Sequence, residues 1–325
     1  MVQAYSGNCF KGHSGASGCA VTKLVILSTF SFLDFCGCTQ LHPDLKSPYS
    51  EKDHNNNQGD LPVKTLFIGY GRMGAALGDA WLNAGLIEQL SIVDPGLPGA
   101  GGEGRYTRLA DVPDEAFELI VLAVKPAYAS EALAGLSDQQ CAQACVISVA
   151  AGVTQATLSA ALRQRCPVVR AMPNTPVLAG AGCTGLYAGD ELEASQRARI
   201  GQLFEAVGLA SWVATESQLD AVTAISGSGP AYYHLFSEAL AQAGVKLGLT
   251  AELARALAAQ TAFGAATLQQ QRHADFAELR QAVTSPNGTT AAAIEVFENG
   301  GKLRDLVEAA TAAACRRSVE LSQNG

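Results

Sequence analysis

Aromatic side chains supply only 6% of this 325-residue chain and charged ones only 16%, and histidine occurs five times. The scarcity of charge comes without a basic excess. Lys and Arg number 22 against 30 Asp and Glu, a net charge of −8, and no long basic run appears. Nucleic-acid phosphates and anionic membranes demand such a run, so both are excluded as partners. The nine cysteines include no C-x-x-C pair, and an odd count does not make a secreted disulfide framework. A reducing cytoplasm is the expected compartment, with Cys141, Cys145, Cys166, Cys183 and Cys315 acting as small buried hydrophobes. From 61 to 325 only His234 and His273 occur, neither in an evident pairing with a carboxylate. A 2-hydroxy-acid dehydrogenase needs a histidine base oriented in that way. A 3-hydroxy-acid dehydrogenase calls for a lysine with asparagine one turn later, but Lys246 is followed by Thr250. No metal-ligand spacing appears in this stretch either, and no metal is expected.

The first 60 residues differ in character from the rest. They hold Cys9, Cys19, Cys36 and Cys38, three of the five histidines, and a polar tract from Ser50 to Asp60. The apolar patch from Ala20 to Phe35 is too short to span a bilayer, which takes about 20 apolar residues. Lys23 within it, Asp34 near its end and the lack of a small-residue cleavage site argue against a signal peptide. The cysteine spacings match no standard zinc pattern. Residues 1–60 are expected to be a disordered extension, with a native start near Leu61 or Val63.

Residues 61–214 alternate strand and helix. Val63 to Ile68 has the composition of a short buried strand, and Gly69-Tyr70-Gly71-Arg72-Met73-Gly74 follows at once, opening into a helical run to Asn83. In this G-x-G-x-x-G fingerprint, Gly69 permits the tight turn and Gly71 lets the backbone approach a pyrophosphate. Gly74 lets helix and strand pack closely. The helix N-terminus then presents free N–H groups to the phosphates. Further strands are expected at Leu90–Val93, Leu119–Val124, Val146–Val149 and Val168–Met172, the pattern of a doubly wound parallel sheet. Asp94 ends the second strand, where a carboxylate bonds the ribose 2′-OH of NAD and repels a 2′-phosphate. That favours NADH over NADPH, although Asp94-Pro95-Gly96 is equally suited to a local turn in which the carboxylate bonds backbone. Ala123, Val124, Lys125 and Pro126 lie where the sheet edge meets the nicotinamide side of a cofactor. Trp81 and Trp212 are expected to serve packing, and Arg170, which could face a substrate, to form a surface ion pair.

Residues 215–325 are helical and alanine-rich, with helices expected at Gln218–Leu247, Ala251–Gln271, Ala274–Ala282, Thr290–Asn299 and Leu303–Ser322. Thr250 stands as N-cap of the second. His234 is expected to be packed or partly exposed rather than a ligand. So much alanine and leucine exceeds what one small bundle buries, and a dimer of interlocking helices accounts for the excess. At Ser285-Pro286-Asn287-Gly288-Thr289-Thr290 a proline stops one segment, a glycine permits an unusual turn and two threonines open a helix. Backbone N–H groups of Gly288 and Thr289, with the Ser285 hydroxyl, suit either a carboxylate or an ordinary capped loop.

The stretch Val168-Val169-Arg170-Ala171-Met172-Pro173-Asn174-Thr175-Pro176 resembles the pyrroline-5-carboxylate reductase family. So do Ala123 to Pro126, Ser148 to Val153, Ser226 to Ala231 and Val283 to Thr290, in that order, over about Val63 to Leu321. One departure is Asn287, where the family has glycine; asparagine tolerates positive φ better than most residues. The resemblance implies a Rossmann-type domain followed by an all-α dimerisation domain. It further implies reduction of Δ1-pyrroline-5-carboxylate to L-proline by NADPH or NADH, the last step of proline biosynthesis, in a homodimer or higher homo-oligomer. It implies that Ser285, Gly288, Thr289 and Thr290 bind the substrate, with Thr290 near the imine nitrogen as the catalytic group. A catalytically silent NAD(P)-binding sensor and a reductase of a related cyclic imine are the alternatives.

Overall fold

The computed structural model describes residues 63–97, 103–271 and 273–324. The extension expected at residues 1–60 lies outside them. An eight-stranded sheet is ordered β3-β2-β1-β4-β5-β6-β7-β8. Its strands are β1 Val63–Ile68, β2 Ile87–Val93, β3 Arg105–Tyr106, β4 Leu119–Leu122, β5 Cys145–Ser148, β6 Val168–Met172, β7 Gly182–Ala188 and β8 Gly208–Trp212. Helices α1 Arg72–Asn83, α2 Ala129–Ala134, α3 Asp138–Cys141, α4 Gln155–Ala161 and α5 Ala194–Glu205 connect them.

The central strands are apolar on both faces because both faces are covered. Successive side chains alternate sides, so Phe67 and Leu66 enter different cores. One core gathers Phe67, Leu77, Trp81, Val121, Ile147, Val169 and Phe204 with α1 and α5. The other gathers Leu66, Ile68, Ile120, Leu122, Val146, Leu133 and Leu158 with α2, α3 and α4. Trp81 is fully buried between Phe67 at 5.8 Å and Phe204 at 5.4 Å between centroids. It packs as expected, and each such large side chain contributes roughly 1.5–3 kcal/mol by leaving water. Trp212 is partly buried, with the Arg197 guanidinium 4.1 Å from its ring centroid.

The expectation of a wholly parallel sheet is corrected at one step. β7 pairs antiparallel with β6, Arg170 opposite Tyr187, and β8 then runs parallel to β7. Strands β3, β7 and β8 and helix α5 were not anticipated. β7 reads Gly-Cys-Thr-Gly-Leu-Tyr-Ala, and its glycines conceal a strand pattern. They are there because other groups press on them. A Cβ on Gly182 would lie 2.9 Å from the Val207 carbonyl oxygen, and one on Gly185 2.7 Å from a methyl of Val222.

The helical region comprises α6 Gln218–Val222, α7 Gly229–Lys246, α8 Ala251–Gln269, α9 Phe276–Ala282, α10 Thr289–Glu298 and α11 Lys302–Asn324. The single helix expected over Gln218–Leu247 is in fact broken. A π turn occupies Thr223–Gly227, and α7 restarts at Gly229 with Pro230 in its first turn. Proline there loses no hydrogen bond that a helix start would make. The helix expected from Ala274 begins instead at Phe276, because the Asp275 carboxylate accepts the Glu278 N–H at 2.9 Å and fixes the N-cap. Thr250 caps α8 as expected, accepting from Leu253 N at 3.3 Å. No helix among the described residues is long and apolar enough to cross a membrane.

Polar contacts of Asn174 and Arg170 join this region to the sheet, and one between Ser318 and Asp220 ties α11 to α6 within it. Asn174, after β6, donates to the Ser226 carbonyl at 2.9 Å and accepts from Cys183 N at 2.8 Å. Glu216 accepts from Arg170 at 2.7 Å. The Ser318 hydroxyl of α11 donates to Asp220 of α6 at 2.6 Å. The Arg170 ion pair is largely buried, a correction to the surface pairing expected, since Arg170 is only 9% exposed. Beyond this junction the helices expose Tyr233, Leu235, Phe236, Leu247, Phe263 and Val296, among others. His234, expected to be packed or partly exposed, is exposed.

Gly208 has φ +142, and a Cβ there would lie 2.1 Å from the Gly182 carbonyl oxygen and 2.5 Å from Gly182 N. Gly208→Ala is expected to destabilise the protein by about 2–4 kcal/mol, measured by denaturant unfolding.

Candidate active site

β1 ends at Ile68 and the chain turns at Gly69, which has φ +90. Gly69 N donates to the Val93 carbonyl and Ala123 N to the Ile68 carbonyl, each at 2.8 Å, which pins the turn to β2 and β4. A Cβ on Gly69 would lie 2.6 Å from the Ala123 carbonyl oxygen, and one on Gly74 2.5 Å from the Gly69 carbonyl oxygen. Both glycines are therefore required by packing alone. Gly71 differs: its φ is −70, and a Cβ would meet nothing within 4 Å. The fold does not need glycine at Gly71. The open space beside it suits a group that approaches the backbone closely, as a pyrophosphate does.

That space belongs to a cavity of about 750 Å³ at the carboxyl ends of β1, β2 and β4. Of the residues anticipated for a cofactor, Gly69, Gly71, Asp94, Ala123, Val124 and Lys125 line it. Tyr70, Arg72, Met73, Gly74 and Pro126 stand behind or beside the lining. Tyr70 folds back over α1, its hydroxyl donating to Asp79 at 2.7 Å. Burial first, and that bond second, raise its pKa above the ordinary tyrosine value. A Cβ on Gly78 would touch this ring, 2.5 Å from the hydroxyl oxygen. Sequence reasoning missed Thr107, Arg108 and Tyr128, which also line the cavity. Thr107 and Arg108 follow the two-residue β3, too short to carry a strand pattern; the only signal was the run Arg105-Tyr106-Thr107-Arg108 itself.

Both oxygens of Asp94 are engaged, Oδ2 by Tyr70 N at 2.7 Å and Oδ1 by Gly96 N at 2.8 Å. The local-turn arrangement is thus present, and it holds the carboxylate fixed at the cavity wall. Each oxygen keeps a further lone pair for another donor. Arg108 stands on the same wall and is ion-paired with Asp111 at 3.1 Å.

The Ser285–Thr290 segment follows α9 and runs into the first residues of α10, and it is not part of the lining of this cavity. Asn287 takes φ +59, as its substitution for glycine requires. Gly288 N donates to the Ser285 carbonyl at 3.0 Å and closes the turn. α10 begins at Thr289 with Gly288 as N-cap, no side-chain cap and no acid in its first turn. α1 begins in the same way, with Gly71 as N-cap. Side chains cap α3, α4, α8 and α9, from Ser137, Thr154, Thr250 and Asp275, whereas α2, α6 and α7 share the uncapped start of the two motif helices. The two motif helices thus leave their positive ends to other partners. In this protomer Ser285 and Thr289 are exposed, with Gly288 and Thr290 half-buried.

A cavity of this kind, at the carboxyl edge of a parallel sheet beside a glycine turn, defines a Rossmann-type NAD(P)-dependent oxidoreductase. Residues 64–152 accordingly match the family model described as NADP oxidoreductase coenzyme F420-dependent, and residues 216–321 match that of pyrroline-5-carboxylate reductase dimerisation. The chain is 43% identical over 267 residues to a pyrroline-5-carboxylate reductase of Pseudomonas aeruginosa, covering 80% of this chain and 97% of the relative. It is 40% identical over 290 residues to that of Mycobacterium leprae, with 80% and 97% covered. Among solved structures it is similar to a pyrroline-5-carboxylate reductase of Coxiella burnetii, at 35% identity and TM-score 0.71, covering 80% of this chain and 98% of the other. A pyrroline carboxylate reductase of Plasmodium falciparum with NADP bound gives 29% identity and TM-score 0.71, with 81% and 100% covered. The chain belongs to the pyrroline-5-carboxylate reductase family.

Gly71→Val is expected to fold normally, with an unchanged melting temperature, and to weaken NADH and NADPH binding at least about 10-fold by filling the space beside the turn. Titration of reduced-nicotinamide fluorescence measures both affinities.

Proposed function

We propose that this protein reduces Δ1-pyrroline-5-carboxylate to L-proline as a homodimer, with residues 61–214 binding the cofactor and residues 215–325 the substrate and the second protomer. The observation that carries the reading is the glycine-headed start of α10. The Gly288 N–H is taken up by the Ser285 carbonyl, but the first turn of α10, from Thr289 on, keeps the free N–H groups of a helix start beside the hydroxyls of Ser285, Thr289 and Thr290, a set that suits a carboxylate in a chain that also holds the open cofactor cavity. The exposed apolar faces of α7, α8, α10 and α11 support the dimer.

Reduction of an imine asks little acid–base chemistry of the protein, since a protonated C=N is already electrophilic and the product amine is basic. The reduced nicotinamide supplies a hydride to the imine carbon when bound. The chain's own residues then have three tasks: Gly69 to Gly74 seat the pyrophosphate, Ser285, Gly288 and Thr289 hold the substrate carboxylate, and Thr290 orients or protonates the imine nitrogen. Fixing that geometry and keeping water out is catalysis by positioning. Cytoplasmic residence agrees with the cysteine usage and with these tasks.

NADH is the favoured cofactor in this reading, because Asp94 is held rigidly at the wall where a ribose would lie. Arg108, opposite in charge and nearby on the same wall, keeps NADPH usable.

Initial rates of NADH and NADPH oxidation with pyrroline-5-carboxylate test the reaction. Turnover of neither cofactor by a protein that binds them would replace the reading with that of a sensor. Thr290→Ala is expected to lower kcat by about 10- to 100-fold with cofactor binding retained; an unchanged kcat would remove Thr290 from the mechanism. Asp94→Asn is expected to raise the NADPH-to-NADH ratio of kcat/KM by about 10-fold, and a constant ratio would deny Asp94 its part in selection.

A further inference from the structure

Two of the motifs that carry the family resemblance, Met172 to Pro176 and Ser226 to Ala231, belong neither to the lining of the cofactor cavity nor to the Ser285–Thr290 segment. They meet one another. Asn174, only 8% exposed, reaches from the end of β6 to the π turn at Thr223–Gly227. Its Nδ2 donates to the Ser226 carbonyl at 2.9 Å, and its Oδ1 accepts from Cys183 N at 2.8 Å. Gly227 completes the contact, since a Cβ there would lie 2.9 Å from Met172 Cε. Resting on the reductase reading above, we propose that Asn174 is a positioning residue for the reaction: it sets the direction in which α7, and the helices packed on it, run relative to the sheet.

The local chemistry asks for an outside donor at this point. A residue inside a helix gives its N–H to the carbonyl four positions before it, but Pro230 has no N–H to give to Ser226. The Asn174 amide supplies one. The turn is also widened: Ser228 N reaches back five residues to the Thr223 carbonyl at 2.8 Å, the bonding of a π turn, a form that recurs at functional sites. Within it the hydroxyls of Thr223 and Ser226 bond the carbonyls of Leu219 and Val222, at 2.8 and 3.0 Å. Tyr232, early in α7, donates its hydroxyl to the Ala224 carbonyl at 3.1 Å. Asn174 thus grips the turn from the sheet, and Tyr232 grips it from α7.

The place of this contact ties it to catalysis. A dinucleotide lies across the carboxyl ends of the strands at the point where strand order reverses. That point falls between β1 and β4, so the nicotinamide half extends toward β5 and β6. Asn174 follows the carboxyl end of β6 on that side. The approach to α6 is fixed separately, because Glu216 accepts from Arg170 and from Gln155 N. With that approach held, the direction of α7 is settled at the π turn, and α8 packs along α7 and inherits it. α7 has 18 residues and is therefore about 27 Å long, so a tilt of about 5° at its start displaces its far end by about 2 Å. Hydride transfer needs the reacting atoms roughly 3–3.5 Å apart, and an error of about 1 Å is enough to slow it severely.

Asn174→Asp tests the proposal in the full chain, because it keeps the oxygen that accepts from Cys183 N and replaces the donor to Ser226 with a second acceptor. Hydrogen–deuterium exchange should be faster over residues 223–232 and unchanged over 69–83. NADH affinity should stay within about 2-fold of the parent while kcat with pyrroline-5-carboxylate falls at least about 10-fold. Tyr232→Phe should shift both in the same direction, with kcat lower by about 3-fold, and the double variant should lose less than the product of the two, since both act on one turn. Leu203→Ala, which empties part of the core beneath α5, should lower the melting temperature and keep kcat. A parent protein that binds NADH without oxidising it would refute the reaction reading. Equal exchange over 223–232 in parent and Asn174→Asp would refute the hold of Asn174 on the turn, whatever the turnover. An unchanged kcat despite faster exchange, a loss of NADH affinity matching the loss of kcat, or an equal loss of kcat in Leu203→Ala would each overturn the positioning role.

Discussion

The structure depends on one close approach, the backbone of the first turn packed against the end of β4 with no side chain between. Gly69 and Gly74 leave no room for a methyl group, since a Cβ at either would lie within 2.6 Å of a carbonyl oxygen. Because of that contact α1 lies tight on the sheet, and Trp81, eleven residues after Tyr70, reaches the core beside Phe67 and Phe204. The contact also aims the start of α1 at the cavity. Gly69 thus both packs against the sheet and lines the cavity, while Gly71 is spared any packing duty.

A second constraint is the junction of sheet and helices. Arg170 and Asn174 are both buried, and each is held by a partner on or leading to the helical region. A buried ion pair is costly to break because it leaves an uncompensated charge. A buried amide with both ends satisfied resists displacement for the related reason that an orphaned polar group is penalised. These groups hold the π turn at Thr223–Gly227 against the loop after β6. Beyond them the helices are held chiefly through their mutual contacts, and much of their apolar surface faces outward.

Much of this was legible in the sequence. The glycine fingerprint located the turn, the N-cap of α8 was read from Thr250, and the αL conformation of Asn287 followed from its place in a turn that takes glycine. Six of the anticipated cofactor residues line one cavity. What escaped notice did so for physical reasons. β7 contains two glycines demanded by neighbours remote in sequence, and such demands leave no periodic trace. β3 is too short for any pattern, so Thr107 and Arg108 stayed hidden. The break between α6 and α7 was marked by Gly227, Gly229 and Pro230, but the alanine-rich pattern on either side favoured one continuous helix.

The reversal at β7 bears on where the helical region begins. Since β7 and β8 run against β6, their carboxyl ends lie on the margin of the sheet away from the cavity. The chain therefore leaves β8 at Trp212 on the margin opposite the cavity, and the whole helical region departs from that side, tied back to the sheet through Glu216 and Arg170.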